Sequence, residues 1–115
     1  MGHVNNSVFL VYAEEARARF LHQALPGAWN HIVVVHSDID YHHPVLLSDS
    51  VQVTSGVESV GTSSFTTVNI VATPSHKCAT VRTVQVVVHE DRSRTRPWTD
   101  DERATLTNLV IAAEK

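Results

Sequence analysis

The sequence predicts an α+β protein in which one long helix packs on an antiparallel sheet. Apolar residues recur with helical spacing from position 5 to about position 25. After Trp29 the chain changes to segments rich in Val, Ile and Thr, in which apolar and polar residues largely alternate. With 115 residues, 43% of them hydrophobic, the chain is large enough for one core but not for two. We therefore expect a single domain over residues 1–115, with a helix layer on a sheet layer.

The first predicted element is an amphipathic helix over residues 5–25. Its apolar stripe consists of Val8, Tyr12, Ala16, Phe20 and Ala24, widened by Phe9, Ala13 and Leu21. Residues 5–7 are suited to cap its start, and Pro26-Gly27 ends it. Because the apolar arc is wide, we expect the helix to lie against a sheet rather than on an open surface.

Four strands and a short helix are predicted to follow. The strands are placed at 32–41, 50–59, 62–73 and 77–89. Val60-Gly61 favours a tight hairpin between the second and third strands. Thr99 followed by Glu102 forms a capping-box pattern, which predicts a terminal helix over residues 99–114.

Composition excludes several classes of protein. The net charge of −3 argues against nucleic acid as a main partner, since binding phosphates normally requires a basic face. The single cysteine, Cys78, forms no disulfide within the chain, and this favours a reducing compartment. We find no signal peptide, and no apolar run approaches the ~20 residues that span a bilayer. We expect a soluble cytoplasmic protein with no membrane partner.

The segment Gly2-His3-Val4-Asn5-Asn6 lies directly before the first helix. The first N–H groups of a helix have no internal partner and carry partial positive charge. They are therefore suited to bind an anion, or the oxygen of a carbonyl that becomes negative in a tetrahedral transition state. Ordinary capping, with His3 on the surface, is the alternative interpretation.

The opening segment GHVNNSVFLVYAEEAR resembles the signature of hotdog-fold acyl-CoA thioesterases of the 4-hydroxybenzoyl-CoA thioesterase type. Three later segments resemble that family in the same order: IDYHHPVLLSDSVQV, SVGTSSF and RTRPWTDDERATL. The resemblance covers essentially the whole chain, and its first motif is the most specific part.

The resemblance implies a fold, an assembly and an activity. In this family a curved antiparallel sheet wraps the long helix, and subunits pair into dimers or tetramers with active sites at the interface. The enzymes hydrolyse acyl-CoA to a free acid and coenzyme A, and need no cofactor besides the coenzyme A of the substrate. Carried onto this chain, the catalytic group comprises the backbone N–H near Asn6 as oxyanion donor, with His3 and Asn5 shaping the pocket. Gly2 would allow close approach of the substrate, and Ser63 and Ser64 would lie near its pantetheine arm.

One part of the family pattern is missing. The family's base or nucleophile is an aspartate three residues before the motif glycine, reached from a first strand, whereas Gly2 is the second residue here. We expect that strand and carboxylate to be absent, through an internal Met taken as the start or a fragment. Glu15 is then the candidate base, although it lies well along the helix from His3. A surface or ion-pair role for Glu14 and Glu15, near Arg17, is the alternative.

Other polar residues are assigned structural roles. His36 and His42 would be roughly 20 Å apart along one strand, too far to share an ion, so no metal is predicted. Asp49 is expected to be a turn acceptor and Cys78 a small strand residue. Arg92, Arg94 and Arg96 would either contact the phosphates of coenzyme A or form a solvated turn.

The sequence therefore predicts an acyl-CoA thioesterase, weak or inactive in this form. A non-catalytic acyl-thioester binding module and a vestigial assembly domain are the alternatives. A dehydratase is less favoured, because such enzymes pair a histidine with an acid in a different arrangement. Without the family's first strand, we expect one sheet edge to be open to abnormal pairing unless another element covers it.

Overall fold

The structure, a computed structural model, describes residues 6–46 and 49–110, and the side chains of Asn6 and Ser7 lie outside that description. The helices are α1 (Asn6–Ala24) and α2 (Asp100–Asn108), and the strands are β1 (Ile32–Tyr41), β2 (Gln52–Val60), β3 (Ser64–Ala72) and β4 (Lys77–Val87). The sheet has the order β1-β4-β3-β2, and each neighbouring pair is antiparallel. The predicted α+β class is confirmed.

Helix α1 lies across the sheet as its wide apolar arc predicts. Its buried side chains are Phe9, Ala13, Ala16 and Leu21, continued by Leu25 just after the helix. Two of the four are alanines, so the middle of the helix approaches the strands closely. None of the helices in the described part of the chain is long and apolar enough to cross a membrane.

The hairpin predicted at Val60-Gly61 joins β2 to β3. Val60 pairs with Phe65, and the Gly61 N–H donates to the Ser64 carbonyl at 2.8 Å. A Cβ atom at position 61 would lie 2.5 Å from Ser64 Oγ, so a side chain there would require the Ser64 side chain to shift. This close approach favours glycine at the turn.

The core has two parts, one at each end of α1. The cluster at the carboxyl end contains Leu21, Leu25, Ala28, Val57, Phe65, Val87, Trp98 and Leu106. The cluster at the amino end contains Phe9, Val45, Val71, Cys78 and Ala79. The start of α1 is therefore fixed at the end of the sheet where β3 finishes and β4 begins.

Helix α2 begins with the predicted capping box. Thr99 Oγ1 accepts from the Glu102 N–H at 3.1 Å, and the Glu102 carboxylate accepts from the Thr99 N–H at 2.9 Å. The helix ends at Asn108, earlier than expected, because the following residues turn along β2. There the Val57 N–H donates to the Leu109 carbonyl at 3.3 Å, and Val110 forms a parallel bridge to Val57. The β2 edge of the sheet is thus contacted at Val57.

Candidate functional site

The amino end of α1 is the candidate site, and its position is set by apolar packing. The Phe9 ring lies 5.8 Å from the Tyr41 ring, and Phe9 is 1% exposed. Because α1 begins at Asn6, its first N–H groups, which have no partner within a helix, lie at this end of the sheet. Their partial positive charge favours an anion or a developing oxyanion.

Most of the predicted catalytic residues lie at or before Asn6, the first residue that the structure describes. Gly2, His3 and Asn5 are outside the described residues, so their roles stay predictions. Asn6 is placed by its backbone alone, as the first residue of α1. A backbone N–H at a helix start is suited to donate to an oxyanion, and this role of Asn6 stays a prediction.

Ser63 and Ser64 lie at the other end of the sheet. Ser64 opens β3 and is followed by Phe65, which packs against Leu21 near the carboxyl end of α1. The stretch of strand from Ser64 to Val71 is about 23 Å long. A single chain therefore does not bring these serines to the start of its own helix.

The two glutamates of α1 face solvent. Glu14 forms an ion pair with Arg17, with Oε2 and Nη2 2.7 Å apart. Glu15 is exposed and lies about 14 Å along the axis from Asn6. Its position does not favour a role as base for a substrate held at the helix start.

A buried polar network lies under the middle of α1, and the sequence interpretation missed it. Gln85, fully buried in β4, donates to the Phe65 carbonyl at 3.1 Å and the Thr83 carbonyl at 2.7 Å. Its Oε1 accepts from Thr67 Oγ1 at 3.2 Å and from Arg17 at 3.4 Å. The sequence carried one sign of this network, because positions that face the core in two predicted strands are polar: Thr67 and Gln85.

Two atoms of this region are buried without a partner among the described residues. They are Arg17 Nε and Asn69 Oδ1, although Asn69 Nδ2 donates to Ser55 Oγ at 2.6 Å.

Three histidines gather at the end of the sheet where α1 begins. The His43 and His76 rings are stacked, with centroids 3.6 Å apart and planes at 8°. His42 Nε2 lies 2.9 Å from Thr80 Oγ1. A cavity of about 290 Å³ adjoins the stacked pair and is also lined by Asp49. The Asp49 carboxylate accepts from the Leu46 N–H at 2.8 Å, which confirms the predicted turn acceptor.

The basic run after β4 is partly structural. Arg96 donates to both carboxylate oxygens of Glu102, at 2.8 and 3.0 Å. These hydrogen bonds raise the pKa of Arg96 and hold the pKa of Glu102 below its ordinary range. Arg92 donates to the Asn30 carbonyl at 3.2 Å, and Arg94 is exposed. A purely solvated turn is therefore wrong for Arg96, whose guanidinium ties the turn to α2.

The other residues singled out from the sequence occupy separate places. Cys78 is a buried strand residue at the start of β4, as predicted. His36 lies beside Asp38 at 3.4 Å on β1, and His42 follows the other end of that strand. Within residues 6–46 and 49–110, no three His, Cys, Asp or Glu side chains form a group suited to hold a metal ion.

Comparison with known proteins gives a consistent result. The thioesterase-like superfamily matches residues 1–106. A Thermus thermophilus thioesterase solved with coenzyme A and Zn is 33% identical, with a TM-score of 0.82 over 94% of this chain and 81% of its own. A predicted thioesterase from Bacillus stearothermophilus is 27% identical, with a TM-score of 0.86 over 98% of this chain and 87% of its own. No curated protein matches the sequence significantly.

A third solved structure supports the same architecture. A Pseudomonas aeruginosa protein is 26% identical, with a TM-score of 0.79 over 98% of this chain and 83% of its own. The antiparallel four-stranded sheet around α1 and these likenesses confirm the predicted hotdog fold.

Proposed function

Because this chain belongs to the thioesterase-like superfamily, we propose that it binds acyl thioesters of coenzyme A and hydrolyses them to a free acid and coenzyme A. The observation that carries the proposal is the start of α1, which follows the segment GHVNN and is fixed at one end of the sheet. The coenzyme A bound to the Thermus thermophilus thioesterase supports the substrate class.

The proposed chemistry uses the helix start as an oxyanion site. The thioester carbonyl oxygen would accept from the backbone N–H near Asn6, where the helix dipole favours the negative charge that develops during attack. Removing one such donor typically costs about 3 kcal/mol of transition-state stabilisation. His3 and Asn5 would shape the pocket, and Gly2 would leave space for the substrate.

Activation of water is the weaker part of the site. A base must lie within hydrogen-bonding reach of the attacking water, directly or through one other water. Glu15 is exposed and displaced along α1 from the helix start. We therefore propose that this chain binds acyl-CoA and hydrolyses it slowly.

The experiment is thiol release from short, long and aromatic acyl-CoA esters, with binding measured by calorimetry on the same samples. We expect binding, and release above the blank for at least one ester. Glu15→Gln tests the candidate base, and Glu58→Gln, on β2, is the matched control. Loss of release in Glu15→Gln alone would assign the base to Glu15.

Two other outcomes would decide against hydrolysis. Binding with no release, in protein shown to be folded by circular dichroism, would favour the acyl-thioester binding module. Neither binding nor release would favour an assembly domain with a vestigial pocket.

We further propose that the active form is a homodimer joined along β1. This strand is one of the two edges of the sheet that the described residues form, and its apolar residues are exposed: Val33, Val34, Val35 and Tyr41. Leu10 and Val11 of α1 are exposed as well. Apolar edge strands of this kind are templates for pairing with a second chain.

Pairing two copies through β1 would also reunite the predicted site. A two-fold axis would reverse the strands of the partner relative to this chain. The β3 start of the partner, with its two serines, would then lie at the same end of the joined sheet as the α1 start of this chain. This arrangement would remove the separation along the strand direction between the helix start and Ser63-Ser64.

The proposed location is the cytoplasm. Cys78 is a free thiol in the structure, and free thiols persist in reducing compartments.

A further inference from the structure

Two histidines from different segments lie face to face at the end of the sheet where α1 begins. His43 follows β1, and His76 lies in the turn between β3 and β4. Their ring centroids are 3.6 Å apart and the planes differ by 8°. His43 Nδ1 is 2.8 Å from the Pro44 carbonyl, which only accepts, so Nδ1 is the donor in this contact.

Backbone hydrogen bonds flank the stack on both sides. The N–H groups of His42 and His43 donate to the Cys78 carbonyl at 2.7 and 3.2 Å. The His76 N–H donates to Thr73 Oγ1 at 3.2 Å, and its carbonyl accepts from the Thr73 N–H at 2.8 Å. The ring contact is thus a side-chain link between two hydrogen-bonded segments.

We propose that the His43–His76 stack is a pH-sensitive latch. Near neutral pH it holds residues 42–46 against the β3–β4 turn, and protonation of both rings releases them. Two neutral rings in contact at this distance gain dispersion attraction. Two imidazolium ions at this distance repel, and histidine is the side chain that changes charge between pH 5 and 8.

One neighbouring charge is placed to modulate the latch. Asp49 lines the same cavity as the two rings, and its negative charge attracts the protonated forms and opposes release. Lys77 is the next residue after His76 in the chain. The His42 ring interacts with Thr80 instead. From α1, the uncharged Phe9 packs at this end.

Release would reach the start of α1 through Val45. This residue is 1% exposed and packs in the same cluster as Phe9 in the first turn of α1. Displacing residues 42–46 would uncover Phe9 and loosen the end of the sheet that holds the helix start. The latch itself is independent of the proposed function, and only its effect on catalysis depends on that proposal.

The test is amide hydrogen exchange, followed by NMR at pH 7.5 and 5.5 and corrected for the intrinsic pH dependence of exchange. The reporters are the amides of His42 and His43, which donate to Cys78. In the wild type we expect their protection to fall about fivefold or more at pH 5.5. In His76→Phe, which keeps a stacking ring without a second titrating group, protection should change less than about twofold.

Matched variants separate the latch from general acid effects. His89→Phe removes a histidine beyond the far end of β4 and should retain the wild-type fall. Asp49→Asn keeps an oxygen acceptor for Leu46 and should enlarge the fall. His43→Phe replaces His76→Phe if the latter does not fold.

Two results would overturn the proposal. One is a wild type whose His42 and His43 amides are equally protected at both pH values. The other is an equal loss of protection in the wild type and in the phenylalanine variant. Neither readout depends on thioester binding or hydrolysis.

Discussion

Glu102 combines two interactions that substitution can separate. Its carboxylate completes the capping box of α2 and forms the two-pronged ion pair with Arg96. We expect Glu102→Ala to lower the free energy of unfolding by about 1–2 kcal/mol, measured by chemical denaturation. Glu102→Gln keeps the capping acceptor and should lose roughly half as much. Asp101→Ala, exposed in the same turn, is the control, and an equal loss there would contradict this account.

The same pair predicts an acid dependence of stability. Arg96 lowers the pKa of Glu102 in the folded state, so the unfolded state binds a proton more readily. The contribution is therefore fully present above the ordinary glutamate pKa of about 4.3 and is lost as the pH falls through the lower folded value. Denaturation from pH 6 to pH 3 should show a smaller loss in Glu102→Gln than in the wild type. Parallel curves for the two proteins would exclude this contribution.

Gln85 is the residue on which the buried network depends. Replacing it by Leu keeps most of the volume but removes one hydrogen-bond acceptor of Thr67 and of Arg17. We expect Gln85→Leu to cost about 2 kcal/mol of folding stability, because buried polar groups would lose their hydrogen bonds. Thermal denaturation would show this as a lowered Tm. Thr66→Val, at a half-buried position of β3, is the control, and a Gln85→Leu protein as stable as that control would show the network to be dispensable.

This network also shows why the contacts of single residues are harder to predict than helices and strands. Arg17 and Gln85 are 68 positions apart in the chain, and nothing local to either residue indicates the contact. Asp49 was predicted correctly because its partner, Leu46, is only three residues away. The predicted roles of His3 and Asn5 came from family resemblance, because the residues near them in the sequence do not by themselves define a role.

At the scale of elements, local patterns were sufficient for type and placement. Strand β1 has the predicted bounds of Ile32–Tyr41, because its Val-rich alternation ends just before the Pro44 turn. The fourth strand was predicted to continue to His89 but ends at Val87. Val88 and His89 keep the strand pattern, but their N–H groups donate to His31 and Arg94 instead. Strand ends depend on long-range partners that the pattern does not contain.

Helix α2 gives a test of how an amphipathic element is anchored. Leu106 is fully buried and is part of the cluster at the carboxyl end of α1. We expect Leu106→Ala to cost about 2–4 kcal/mol of folding stability, measured by chemical denaturation, through lost burial and the cavity that remains. Thr107→Ala, at the exposed position that follows, is the matched control and should change stability much less. Equal stability of the two variants would mean that Leu106 does not anchor α2.

At the scale of the whole molecule, the sequence predicted two layers but not which strand would lie at each edge. Edge identity depends on the order in which strands pair, and a hairpin signal exists only for β2 and β3. The valines of β1 lie in a strand, as predicted. Because β1 is at an edge of the sheet, they are also exposed. An apolar strand with this exposure is the main reason to expect a second copy of the chain.

The dimer proposal leads to a prediction about both sheet edges. We expect the wild type to have twice the 12.7 kDa chain mass in size-exclusion chromatography with light scattering at micromolar concentration. Val35→Asp introduces a charge at the most exposed valine of β1, 57% accessible, and should raise the dimer dissociation constant about tenfold or more. Thr54→Asp places the same charge on β2, the opposite edge, and should leave the dimer intact. A monomeric wild type, or dissociation caused by Thr54→Asp rather than Val35→Asp, would show that β1 does not join two subunits. Since Ser63-Ser64 and the α1 start lie at opposite ends of the sheet within one chain, acyl-CoA binding should weaken together with dimerisation in Val35→Asp.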